Sequence, residues 1–124
     1  MKFKSKKVKI DDMVFDSKKE YQRWLELVEL EKNGDISNLS RQERFELLPK
    51  QIGERAVTYV ADHMYVYGNI LVVEDVKSKI TKKQPDYIIK RKLFKYFYCG
   101  KRNKKNEVLL LTYKVEEIYF KEYE

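Results

Sequence analysis

A single cysteine, Cys99, rules out any internal disulfide. His63 is the only histidine, so a structural zinc site built from Cys and His ligands is excluded too. Any metal must sit on oxygen ligands, which points to Mg²⁺ or Mn²⁺. No apolar run approaches the length of a bilayer span. The N-terminal KFKSKKVKIDD lacks the apolar segment of a signal peptide. A soluble, cytoplasmic protein is therefore expected. A Gly-rich phosphate loop, a serine-nucleophile motif and a dinucleotide fingerprint are all missing. With no repeat, low-complexity tract or dividing linker, residues 1–124 read as one domain.

What the chain has in excess is positive charge. Twenty-seven Lys and Arg against 20 Asp and Glu leave a net +7, while 43% hydrophobic and 14% aromatic residues supply a core. The balance suits a polyanionic partner, nucleic acid above all. The cations are mainly Lys, which meets phosphate as a point charge, so backbone attraction is better supported than base reading. Lys2, Lys4, Lys6, Lys7 and Lys9 form a basic arm within residues 1–14, either mobile or an edge strand.

Asp16-Ser17 opens a helix over residues 17–33. Ser17 and Glu20 have capping-box spacing, Phe15 is placed as a staple, and Asn33-Gly34 supplies the stop. Tyr21, Trp24, Leu25 and Val28 recur at helical spacing. Residues 39–48 alternate as a strand at a sheet edge, ended by Pro49, and a turn with Gly53 follows. Residues 56–77 form a β-hairpin about Gly68-Asn69. A basic loop, SKITKKQ (78–84), leads into a second helix from Pro85, which carries Lys90, Arg91 and Lys95. The apolar run EVLLLTY, 107–113, reads as a strand buried on both faces, and 114–124 as a helix or an edge strand. The order predicts an α/β fold, a mixed sheet flanked by helices with a β-α-β crossover.

The hairpin carries the chemistry. A two-residue Gly68-Asn69 loop makes Tyr67 face Ile70 and sets Asp62 opposite Asp75, with Lys77 on the same face. Opposed like charges destabilise a sheet, and a bound cation is the simplest reason for them. Asp62 as a solvent-facing partner of Lys77 is the plainer alternative. Glu74 falls opposite His63 and reads as a surface pair outside the site, an assignment that a bulge would reverse. Glu20 has two roles open to it, as cap or as a carboxylate projecting toward the sheet. Val115, Ile118, Tyr119 and Phe120 are apolar candidates for a dimer interface.

Glu20 on a helix, Ala61-Asp62, Asp75-Val76-Lys77 and then a basic helix resemble the PD-(D/E)XK nuclease superfamily over about residues 15–98. The size and FDSKKE start look most like small phage-encoded, restriction-endonuclease-like proteins and Holliday-junction resolvases. The resemblance implies an αβββαβ core and a Mg²⁺- or Mn²⁺-dependent endonuclease of a bacterial host's cytoplasm. It implies metal held by Asp62, Asp75 and Glu20, with Lys77 beside the attacking water. DNA, branched or duplex, would be met by Lys6, Lys7, Lys79, Lys82, Lys83, Lys90, Arg91 and Lys95, and paired cuts would want a homodimer. Two departures stand out. Ala61 occupies a position where many members have Pro. The Q-x-x-x-Y signature of exonuclease-like branches is not met, since Gln84 and Tyr87 are one residue too close.

Overall fold

A computed structural model describes residues 6–124. The Lys2 and Lys4 of the basic arm lie outside the described residues. The arm's remainder enters a short antiparallel hairpin, β1 (Val8–Ile10) and β2 (Met13–Phe15), separate from the main sheet. Arg41 ties it down by donating to the Val14 carbonyl at 2.7 Å, with its guanidinium 4.2 Å from the Phe15 ring centre.

Helix α1 (Lys18–Lys32) begins as its sequence predicts. The Ser17 hydroxyl accepts the Glu20 N–H at 3.1 Å, and Phe15 packs on Tyr21 with ring centres 5.1 Å apart. Ser17→Ala should cost about 1 kcal/mol of stability in a urea melt, the usual loss for such a cap. The inward face differs from the apolar stripe expected. Glu20, Arg23 and Leu27 are the buried residues of α1, while Leu25 is exposed. The face is turned by charged groups that find partners beneath it.

Strands β3 (Ser37–Leu48), β4 (Val57–Tyr67) and β5 (Ile70–Val76) form an antiparallel meander, with β3 at the sheet edge. Tyr67 faces Ile70 across Gly68-Asn69, and the register runs back to His63 opposite Glu74. A 3₁₀ turn (Thr81–Lys83) precedes α2 (Pro85–Tyr98), followed by β6 (Gly100–Lys101), α3 (Glu107–Tyr113) and β7 (Glu117–Tyr123). The five-stranded sheet has the order β3-β4-β5-β7-β6, and β7 is parallel to β5. This is the expected α/β fold with a mixed sheet flanked by helices.

The strand predicted at 107–113 is instead α3, and the crossover lands on β7, inside the sheet rather than at its edge. A seven-residue apolar run does not by itself distinguish helix from strand. The turn ahead of it decides. The Asn103 side chain accepts from the backbone of Lys105 and Asn106 at 2.8 and 2.9 Å, while Asn106 donates to the Tyr98 carbonyl at 2.9 Å. Of that run only Leu110 is buried. In β7, Ile118 and Phe120 alternate inward against β5, as a strand requires.

The larger core lies on the α2 side, around Phe45, Tyr59, Phe94, Tyr98 and Phe120. The smaller lies under α1, around Leu27, Ile36, Tyr65 and Val72. Val115, Ile118 and Phe120 are core residues, which removes them as interface candidates. Tyr119 is exposed. No helix among the described residues is long and apolar enough to cross a membrane.

Candidate metal centre

Toward the end of the sheet where β4 begins and β5 ends, His63 opposite Glu74 is the last pair of the two strands. Asp62 comes next, and its carboxylate takes over the backbone's role by accepting the Val76 N–H at 2.7 Å. Side-chain alternation in β4 also changes phase here. Tyr59 and Ala61 enter the α2-side core, and so do Met64 and Val66. Across from this point, Gln42 of β3 has φ 59°, between the pairs Arg41–His63 and Glu43–Ala61. The irregularity leaves Asp62 in the split between β4 and β5 rather than on a regular sheet face.

The N-terminus of α1 meets that split. Glu20 closes the first turn by accepting the Asp16 N–H at 3.1 Å, and it also receives Arg41 at 3.3 Å. One carboxylate oxygen each from Asp16, Glu20 and Asp62 lies within 4.8 Å of the others. The cap and the cluster therefore use the same residue. Asp16 was missed in the sequence, where it reads as a helix-opening residue. Only the approach of α1 to β4 gives it a second meaning.

Asp75 stands beside this trio but is held differently. Tyr59 donates to its Oδ2 at 2.5 Å, and the Lys77 ammonium lies 2.7 Å from its Oδ1. Oδ1 is buried, and the lysine ammonium is its ion-pair partner. Lys77 thus pairs with Asp75, not with a solvent-facing Asp62. Its ammonium lies 4.6 Å from the Tyr87 ring centre, and its carbonyl accepts Lys19 at 3.1 Å.

The electrostatics are unbalanced. Burial, then the charges of Asp75 and Glu20, push the Asp62 carboxyl up to about 9, against the Val76 N–H and Lys77. Burial likewise raises Glu20. For Lys77 burial works against the charge, but Asp75 outweighs it and holds the group above its ordinary value. A cleft of about 540 Å³ opens onto these groups, lined among others by Lys7, Lys19, Glu20, Asp62, Lys77 and Gln84.

Glu74 is not a surface residue. It and His63 are fully buried, and Arg23 of α1 grips the carboxylate with two bonds of 2.9 and 2.8 Å. His63 Nδ1 and the Tyr65 hydroxyl complete its shell at 3.2 and 3.0 Å, and Trp24 stacks on His63. Burial would raise the Glu74 carboxyl, but His63 and Arg23 prevail and hold it at about 2. The residue stays outside the oxygen cluster, as expected, but its surroundings are those of a buried ion pair.

Of the cations expected to meet DNA, Lys7 alone lines the cleft. Lys6, Lys7, Lys79, Lys83 and Lys95 are exposed, and Lys90 is half-buried. Lys82 pairs with Glu124 at 3.1 Å and Arg91 with Glu122 at 3.7 Å. Cys99 is half-buried, and burial pushes its thiol up to about 11, so it has no marks of a nucleophile.

Residues 1–115 match a family model described as "Protein of unknown function (DUF1064)". No curated protein and no solved structure matches the chain. The match spans nearly the whole sequence, and the chain belongs to the DUF1064 family.

Proposed function

We propose that this chain is a divalent-metal-dependent endonuclease that hydrolyses DNA phosphodiester bonds on a restriction-endonuclease-like fold. The observation that carries the reading is the convergence of Asp16, Glu20 and Asp62 within 4.8 Å, next to a charged Lys77 at the mouth of a cleft. The donor set fits a hard cation. Every ligand is a carboxylate oxygen, and burial, with the charges of Asp75 and Glu20 added, raises the Asp62 carboxyl in the absence of a counter-charge. Bound there, Mg²⁺ or Mn²⁺ would supply Lewis acidity to the phosphate and lower the pKa of water.

The chain's own groups have definable tasks. Asp62 and Glu20 would hold the cation, with Asp16 completing the set. Asp75 acts as the anchor of Lys77, fixing the ammonium beside the cleft, and Tyr59 fixes Asp75 in turn. Lys77 is protonated, so it stabilises charge developing on the phosphate instead of abstracting a proton. The net +7 draws the polyanion in. Branched DNA in phage or mobile-element recombination is the preferred substrate, and a homodimer would deliver paired cuts.

The test offers a four-way junction, a fork, linear duplex and single strand with Mg²⁺ or Mn²⁺, against EDTA. Metal-dependent cutting that disappears in Asp75→Asn, with DNA binding kept or strengthened, is expected. DNA bound in EDTA but never cut would overturn the enzyme and leave a nucleic-acid-binding module.

A further inference from the structure

Strands β3 and β4 outlast β5. The last β4–β5 pair toward the cleft is His63 with Glu74, whereas β3 and β4 remain paired as far as Leu48 with Val57. A two-stranded ribbon therefore runs on past Asp62, from the same end of the sheet that holds the carboxylates. Its tip, residues 48–55, is exposed at every position. The tip has a defined shape. Gln51 and Glu54 exchange backbone hydrogen bonds of 3.1 and 3.0 Å, which makes Ile52 and Gly53 the two central residues of a closed turn. Gly53 supplies the positive φ of 76° that such a turn needs.

Ile52 has 104% relative exposure, and no other large apolar side chain among the described residues passes 79%. Nothing local calls for it, since turns favour Gly, Asn, Asp, Ser and Pro, and a β-branched residue contributes nothing to the turn's closure. A lone exposed apolar residue is ordinary on a surface. Here, however, the residue is at the apex of a closed turn between Lys50 and Arg55, and neither cation pairs with a described acid. Glu54 is the single opposing charge at the tip.

An apolar point flanked by two cations is the chemistry that proteins use to wedge a base step open while gripping the phosphates on either side. We propose that the β3–β4 ribbon is a DNA-deforming arm, with Ile52 as the wedge and Lys50 and Arg55 as its phosphate contacts. The proposal rests on the DNA reading above and adds that the duplex is distorted away from the cut. Asp62 is five positions beyond Val57, about 17 Å along a strand. With the loop beyond, the tip is roughly 20–25 Å from the carboxylates, on the order of six or seven base-pair steps. A protein pocket as the receiver of Ile52 is weighed against by the cations beside it.

The experiment uses the full chain in EDTA, so that nothing is cut. The probes are duplex and four-way-junction DNA with 2-aminopurine placed in turn at steps roughly four to nine base pairs from the junction or expected cut. Binding of the wild type should raise the fluorescence severalfold at one or two of these steps. Ile52→Ser should abolish the rise while weakening binding by no more than about tenfold, and Ile52→Phe should preserve it. Lys50→Ala with Arg55→Ala should lower the slope of log K against log salt by about two. Because Ile52 touches nothing, none of these changes threatens the fold. Equal signal and affinity in the wild type and Ile52→Ser would overturn the wedge alone, leaving metal-dependent cleavage to stand or fall separately. A wild type that binds no DNA in EDTA would overturn the wedge, while the nuclease reading would fall only with the metal-dependent cleavage assay above.

Discussion

Asp62→Asn should abolish metal-dependent cleavage, by at least about a thousandfold, and make the protein more stable at the same time. The two effects share a cause. Asp62 is 9% exposed and lies among Glu20, Asp16 and Asp75, so its charge is opposed in the metal-free protein by burial and by its neighbours. Asparagine keeps the acceptor that receives the Val76 N–H, and loses the charge. The pH dependence follows. The folded chain retains the Asp62 proton up to about 9, whereas the unfolded chain releases it near 3.8. Between those values the folded state binds the extra proton, so metal-free stability falls as pH rises through the window. Glu20 is shifted in the same direction and adds to the fall. Thermal melts in EDTA should show the wild-type Tm dropping by roughly 5 °C or more from pH 5 to pH 9. Asp62→Asn should flatten most of that drop, and Mg²⁺ should oppose it in the wild type. A wild-type Tm that does not change with pH would mean that the carboxylates are not in conflict, and the case for a cation between them would fail.

Arg23→Met should be the most damaging single change away from the cleft, costing about 3–5 kcal/mol. It leaves the Glu74 carboxylate fully buried with only His63 and Tyr65 for company. His63 and Arg23 together also make the ion pair pH-dependent. Glu74 is held at about 2 against its ordinary 4.5, so its partners contribute stability that is present above about pH 4.5 and is lost as pH falls toward 2. A shift of that size corresponds to about 3 kcal/mol. Urea melts of the wild type and Arg23→Met should therefore differ most at neutral pH and converge in acid, where Glu74 is protonated in both. A difference below about 1 kcal/mol at pH 7 would place the pair in the class of solvated ion pairs. Arg23 lies one helical turn after Glu20, so its grip on β5 also sets where α1 rests over the carboxylates.

The hairpin and its register were legible because they are local. Gly68-Asn69 determines the loop, the loop determines that Tyr67 meets Ile70, and counting back gives His63 opposite Glu74. Helix α1 was legible at both ends, since Ser17 and Asn33 cap it with their neighbours alone. EVLLLTY was misread because its conformation is set by Asn103 and Asn106 hydrogen bonds outside the run.

The sequence by itself determined the elements whose hydrogen bonds close within a few residues, and it placed Asp62, Asp75 and Lys77 at one end of one hairpin. The tertiary structure decided which oxygens meet. The packing of α1 on the sheet brought Asp16 and Glu20 to Asp62, and the approach of β4 to β5 gave Asp75 to Tyr59, with Lys77 two residues further on. It also turned Glu74 from a surface acid into the buried partner of Arg23. The reason is physical. A carboxylate's role depends on its distance from other charges and from water, and partners such as Tyr59 for Asp75 and Arg23 for Glu74 come from segments 16 and 51 positions away.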